Sequence, residues 1–70
     1  MYIVIELQKD TAGAVSNIVT DYPKLAEAES KYHSILASAA VSEIPVHSAI
    51  IISEEGFPVK YQCYKHEKER

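Results

Sequence analysis

The chain has few of the residues from which small folds and catalytic centres are usually built. Its single cysteine, Cys63, excludes an intrachain disulfide and leaves no cysteine pair at zinc-finger spacing. Two glycines, Gly13 and Gly56, both fall in predicted hairpins, which excludes a glycine-rich phosphate loop. No apolar run is long enough to span a bilayer. These absences predict no metal site, no cofactor and no membrane segment.

Positive charge is also scarce. The net charge is −3 and the lysines and arginine are scattered, which argues against extended nucleic-acid binding, since that needs clustered basic residues. The first residues, Met1 to Glu6, meet a charge too early for a signal peptide and lack its basic start. We therefore expect a soluble, cytoplasmic protein, in the host cell cytoplasm if a phage encodes it.

Length sets the next limit. Seventy residues make one domain, predicted over 1–66 with a charged tail at 67–70. A core of this size seldom yields more than roughly 3–5 kcal/mol of net stability, and small proteins add disulfides, a metal or a partner subunit. With the first two absent, oligomerisation remains, so we expect a homodimer or a higher homo-oligomer.

Periodicity predicts an α+β fold in the order β-β-α-β-β, with two hairpins on either side of one helix. The helix packs on one face of an antiparallel four-stranded sheet. The second strand is weakly patterned and is expected at an edge, and Pro58 indicates an unpaired edge in the fourth. The predicted elements are strands 2–8 and 14–20, a helix that starts at 21–23 and ends at 42 or 43, and strands 46–53 and 57–64.

The sheet has more apolar surface than one helix can cover. The third strand is apolar on both sides, with Ile50 and Ile52 on one and Ala49 and Ile51 on the other. The helix itself offers one apolar stripe, formed by Leu25, Ala28, Tyr32, Ile35, Leu36 and Ala39. We expect Tyr2, Val4 and Tyr64 to add to the uncovered side of the sheet. A twofold dimer, sheet against sheet or helix against helix, would cover it.

Two histidines are candidates for chemistry. His33 lies on a small-residue flank of the helix, where it either contacts a packed neighbour or donates into a pocket. His47, next to Ser48, either binds a ligand, forms an acid–base pair with Glu43, or is a half-exposed strand histidine. The spacing leaves these alternatives open. The simpler ones are a packing contact for His33 and a half-exposed strand position for His47.

Cys63 is predicted to be structural. It alternates in one row with Phe57, Val59 and Tyr61, which indicates burial in the core rather than a nucleophile. Cys63 and His66 face opposite sides of a strand and cannot form half of a metal site.

The tyrosines outside the core can stack on a ring or fill the centre of an interface, and we expect interface packing. They are Tyr2, Tyr22, Tyr61 and Tyr64.

The segments Ala28–His33 and Ala39–Ser42, with His47-Ser48, give the chain a resemblance to short uncharacterised proteins of gut-bacterial phages and mobile elements. The resemblance spans nearly the whole chain and implies an accessory factor that binds a host component and does no chemistry. Such a factor sequesters a small nucleotide immune signal at a subunit interface, occludes a host defence protein or nuclease, or is a minor structural or regulatory part of the element.

Sequestration of a nucleotide-like ligand is the leading hypothesis, with a tyrosine stacked on the base and the phosphates met by Lys60 and one of the two histidines. Inhibition of a host protein is the alternative. The expected ligand-binding residues are His33, His47, Ser48, Lys60, Tyr2 and Tyr64.

Overall fold

The computed structural model describes residues 1–66, and the predicted charged tail at 67–70 lies outside them. The α+β prediction is confirmed: the strands form one antiparallel sheet in the order β2-β1-β3-β4, with the helix packed on it. Both β2 and β4 are edge strands, as expected from their patterns. The elements are β1 (Tyr2–Lys9), β2 (Val15–Tyr22), α1 (Leu25–Ala40), β3 (Val46–Ser53) and β4 (Pro58–Lys65).

Local turn chemistry closes the two hairpins. The Asp10 carboxylate accepts hydrogen bonds at 2.9 Å from the backbone N–H groups of Ala12 and Ala14, which fixes the β1–β2 turn. Gly13 and Gly56 have φ of 89° and 92°, a left-handed conformation that favours glycine. These turns set the register, so each side chain is assigned to one face of the sheet.

The helix is shorter than predicted at both ends. It begins at Leu25 rather than at 21–23, because β2 continues to Tyr22, which pairs with Tyr2 and packs against the core. It ends at Ala40, two residues before the earliest predicted end, and the N–H of Val41 bonds back to the carbonyl of Ser38. Strand pairing and capping decide both ends here.

The core lies between the helix and one face of the sheet, which we call the covered face. The predicted helix stripe is confirmed, with four members buried and Leu25 and Leu36 partly buried against them. Ala28 and Ala39 are fully buried, so small side chains let the helix approach the strands closely. The buried residues are Val4, Ala28, Tyr32, Ile35, Ala39, Ala49 and Ile51, with His47 as the buried polar residue.

The assignment of Tyr2, Val4 and Tyr64 to the uncovered side was wrong. Val4 is fully buried in the core and Tyr2 packs against it. Tyr64 pairs with the buried His47 and so shares its face. The helix packs over the small Ala49, and the alternation of the strands then places these three side chains beneath it.

Cys63 is not in the core, which corrects a further prediction. It is exposed, because it alternates with the covered-face residues Gln62 and Tyr64 on the edge strand β4. Phe57 and Tyr61 are exposed as well, at 68% and 73%. Tyr61 and Cys63 share the side of β4 that faces away from the helix, but the predicted row does not extend further. Phe57 precedes β4, and a register shift between β3 and β4 interrupts the alternation at Val59.

No helix within residues 1–66 has the length and apolarity needed to cross a membrane.

Candidate functional site

The sheet surface away from the helix, which we call the open face, is the largest feature without a partner in the described chain. The pairing of the strands shows that alternate residues of all four strands share this face. Its charged residues lie at its ends: Lys9 and Lys65 at one, Asp21 at the other. Its apolar members are Ile3, Ile5, Leu7, Val15, Val19, Val46, Ile50, Ile52, Tyr61 and Cys63.

The open face is more apolar than the covered face. On β1, isoleucine and leucine side chains point into the open face, whereas Glu6 and Gln8 lie on the helix side. On β4, the covered face carries Lys60 and Gln62. A helix that packed only to bury apolar surface would take the other side of the sheet. The more apolar side has been left free.

The open face is large enough for a specific contact. Each strand has eight residues. Four such strands at about 4.8 Å spacing give a footprint of roughly 19 by 27 Å, or about 500 Å². Burying this area on two molecules removes about 1,000 Å² in total, the lower limit for a specific protein interface.

A buried polar cluster lies on the covered face, under the helix. His47 Nε2 is 2.6 Å from Glu6 Oε2, and their side chains are 4% and 14% exposed. The Gln8 amide donates a second hydrogen bond of 2.9 Å to the same oxygen. Because an ionised carboxylate only accepts, Nε2 carries the proton in this contact.

Opposing effects act on Glu6. Burial is the largest single influence and by itself would raise the pKa of this carboxyl. Hydrogen bonds from His47 and Gln8, with the charges of His47 and Lys31, together outweigh it and hold the pKa below its usual value. Glu6 is therefore a carboxylate at neutral pH.

The other ring nitrogen, His47 Nδ1, is buried without a hydrogen-bond partner among the described residues. In the neutral tautomer it is an acceptor. The His47 side chain is 4% exposed, so a dissolved substrate cannot contact it without displacement of the helix. The pair resembles part of an acid–base device, but it is closed to substrates.

His66 ties the end of β4 to the helix. Its Nε2 donates to the Ala39 carbonyl at 2.8 Å, and its ring stacks on Tyr64 with centroids 6.2 Å apart. A histidine at a helix C-terminus is favoured by the negative end of the helix dipole. Lys65, the residue before His66, is the last residue of β4.

The structure does not bring the predicted ligand-binding residues together within one copy. His33 is exposed on the outer side of the helix, and Ser48 lies on the open face. Lys60 forms an ion pair of 3.0 Å with Glu29. Only His47 and Tyr64 are neighbours, paired across β3 and β4, while Tyr2 pairs with Ser53 at the far end of the sheet.

The sequence left Glu43 open as one possible partner of His47 and did not indicate Glu6, which is the partner in the structure. The preferred expectation, a half-exposed His47, was wrong, because this residue is buried. One signal was present: Glu6 and Gln8 interrupt the side of β1 that Tyr2 and Val4 begin. Two polar residues in that row indicate a buried polar partner, but the choice of partner needed the strand register.

Other sites in the described chain are weak. A shallow cleft between the end of β2 and the helix is lined by Tyr22 and Lys31 with Ser30, Ser34 and Glu27, and contains none of the predicted ligand-binding residues. Within residues 1–66, no three potential metal ligands come together. Cys63 lies on the open face of β4, whereas His66, one residue beyond the strand, contacts the helix at Ala39.

No protein-family model matches the chain, and no curated protein or solved structure matches it.

Proposed function

We propose that this chain is a non-enzymatic binding protein that works by protein–protein association, with the open face as its contact surface. One observation carries the proposal: the helix covers the more polar side of the sheet and leaves the more apolar side free. Contiguous apolar surfaces of this size on small proteins mark interaction sites. Burial of the open face also supplies the stability that a seventy-residue core lacks.

The absence of an enzymatic role is part of the proposal and rests on the environment of the groups that could do chemistry. His47 and Glu6 are enclosed by the helix and the sheet. Cys63 is exposed on β4, and its Sγ lies near the Tyr64 carbonyl at 3.9 Å rather than near a histidine. Nucleophilic catalysis needs an adjacent base within hydrogen-bond reach, which this geometry does not offer.

We prefer protein association to sequestration of a nucleotide-like ligand as the proposed function. A phosphate site needs several positive or donor groups directed to one point. Here Lys60 is held by Glu29, while His33 and His47 are separated by the helix, one exposed and one buried. A context of phage or mobile-element accessory proteins, which the resemblance suggests, suits a protein-binding factor equally well.

Two neighbouring residues of β2 provide a matched test. Val19 and Ile18 are exposed to similar extents, 57% and 53%, but Val19 lies on the open face and Ile18 on the opposite face. Val19→Glu places a charge in the contact and is expected to give a monomer in gel filtration with light scattering. Wild type and Ile18→Glu are expected to remain associated. Wild-type protein that is monomeric at tens of micromolar would refute the proposal, as would equal loss of association in both variants.

A further inference from the structure

The open face carries its charges in a pattern that restricts how a second copy can lie on it. Lys9 and Lys65 mark one end, which we call the basic end, and Asp21 stands at the other, which we call the acidic end. The β3–β4 turn beside the acidic end adds Glu54, whose carboxylate pairs with the terminal amine at 2.8 Å. Asp10, near the basic end, is engaged by its own turn. The centre of the face is uncharged.

Two aligned arrangements bring the open faces of two copies together with twofold symmetry. If the axis runs along the strands, the basic ends meet each other and β2 lies over the partner's β4. If the axis runs across the strands, the ends are reversed and each strand lies over its own counterpart. Sheets that pack face to face keep their strands within about 30° of alignment, so both fit sandwich geometry.

The charges at the ends of the open face distinguish the two arrangements. With matched ends, two lysines of one copy would face two of the other across a partly desolvated interface. With reversed ends, Asp21 lies over the basic end of the partner, where Val15 pairs with Lys9. Symmetry forms this contact twice, and like charges are kept apart.

We propose that the open face is covered by a second copy of this chain in the end-reversed arrangement, β2 over β2 and β4 over β4, with Asp21 of each copy against Lys9 of the other. This inference rests on the proposed function, because it identifies the partner of the same surface. The contact is self-complementary in charge and closes as a dimer, which leaves no open face for further growth.

Cross-linking through the thiol of Cys63 can distinguish the two arrangements. Because the two β4 strands lie over each other in the end-reversed dimer, the two copies of Cys63 are offset by about 7 Å along the strands. In the end-matched dimer they are three strand spacings apart, roughly 14 Å. A bismaleimide with a span of about 8 Å, comparable to the 7 Å offset, can attach to Cys63 in a free copy, where the thiol is exposed, and then reach the partner's Cys63 on association. We therefore expect it to convert wild-type protein to a covalent dimer on a denaturing gel.

Asn17 provides the opposite control, since it stands in the same row as Cys63 on the other edge strand. In the end-matched dimer Asn17→Cys would lie directly over the partner's Cys63 and form a disulfide on mild oxidation. In the end-reversed dimer that disulfide is not expected. Its formation, with no bismaleimide product from wild type, would overturn the arrangement.

Charge reversal gives an independent readout. Asp21→Lys should weaken dimerisation by about tenfold, and Asp21→Lys with Lys9→Asp should restore it, because the contacts are again of opposite sign. Glu27→Lys makes the same change in net charge on the helix side and should leave the dissociation constant unchanged. A dimer whose dissociation constant does not change with these charge reversals would refute the end-reversed arrangement but not the open-face contact. A monomeric wild type would refute both.

Discussion

At the scale of single residues, the ionised Glu6 is the group with most effect on the folded state. It is buried beside His47 and accepts hydrogen bonds from His47 and Gln8. Removing one partner of a buried charged hydrogen bond leaves the other without compensation. The cluster therefore holds β1 and β3 in register beneath the helix and contributes stability only while Glu6 is ionised.

The lowered pKa of Glu6 predicts a loss of stability in acid. A group whose pKa is lower when folded contributes stability above its unfolded-state pKa, and this contribution is lost as pH falls through the folded-state pKa. Urea unfolding should therefore show the free energy of unfolding fall as pH drops below about 4, near the pKa of an unfolded glutamate.

Glu6→Gln should lower the stability at pH 7 by about 1–3 kcal/mol and remove this part of the pH dependence. Glu55→Gln, an exposed change in the β3–β4 turn, should keep the wild-type profile. A Glu6→Gln profile that falls in acid as steeply as that of wild type would contradict the role of Glu6.

Cys63 reports whether the open face is covered. In a single copy the thiol is exposed, so a thiol reagent should label it rapidly in dilute solution. At concentrations where two copies associate, the labelling rate should fall, since β4 then lies within the contact. As a control, labelling of the denatured protein gives the upper limit of this rate. Slow labelling at every concentration would contradict this exposure and indicate that Cys63 is buried in the core, as the sequence pattern predicted.

At the scale of elements, the closeness of the helix to the sheet depends on alanine. Ala28 and Ala39 have no exposed surface and face strands that carry Ala49 at the contact. Close packing of this kind has no room for added methylene groups.

Ala28→Leu should therefore reduce the free energy of unfolding by about 1–3 kcal/mol, through overpacking against β3. Ala37→Leu, on the exposed side of the same helix, should change it by less than about 0.5 kcal/mol. Chemical denaturation followed by circular dichroism measures both. Equal effects of the two substitutions would show that the helix does not approach the sheet as closely as described.

The elements show what the sequence could reveal. Alternation in β1 and β3 and the helix stripe around Tyr32 were sufficient to predict the five elements and their order, because periods of 2 and 3.6 residues are local properties. Which side of the sheet the helix covers is not local. Because Ile3, Ile5 and Leu7 are aliphatic, their side of β1 would be expected to face the core. The helix lies instead on the side of Val4 and Glu6.

The site was less predictable than the fold. His47 was identified as a residue of interest, but its partner Glu6 is 41 positions away, and only strand pairing brings them together. The nucleotide site proposed around His33 and Lys60 depended on long-range placement of the same kind. Burial and pairing of polar residues follow from the register, which the turns and the helix packing determine jointly.

At the scale of the whole molecule, a small core and a free apolar sheet face have one common solution. A single copy exposes aliphatic side chains to water, and a second copy on the open face would cover them and extend the core. Our central proposal is therefore that the open face is buried against another copy in solution, whereas the opposite face of β2 stays exposed.

The isoleucine methyl groups test this claim most directly. Ile3, Ile5, Ile50 and Ile52 lie on the open face, Ile18 is exposed on the opposite side of the sheet, and Ile51 is fully buried. Methyl NMR of concentrated protein with a soluble paramagnetic agent should broaden Ile18 strongly and leave the four open-face residues nearly as protected as Ile51. Strong broadening of the open-face methyls together with Ile18, at a concentration of hundreds of micromolar, would contradict it.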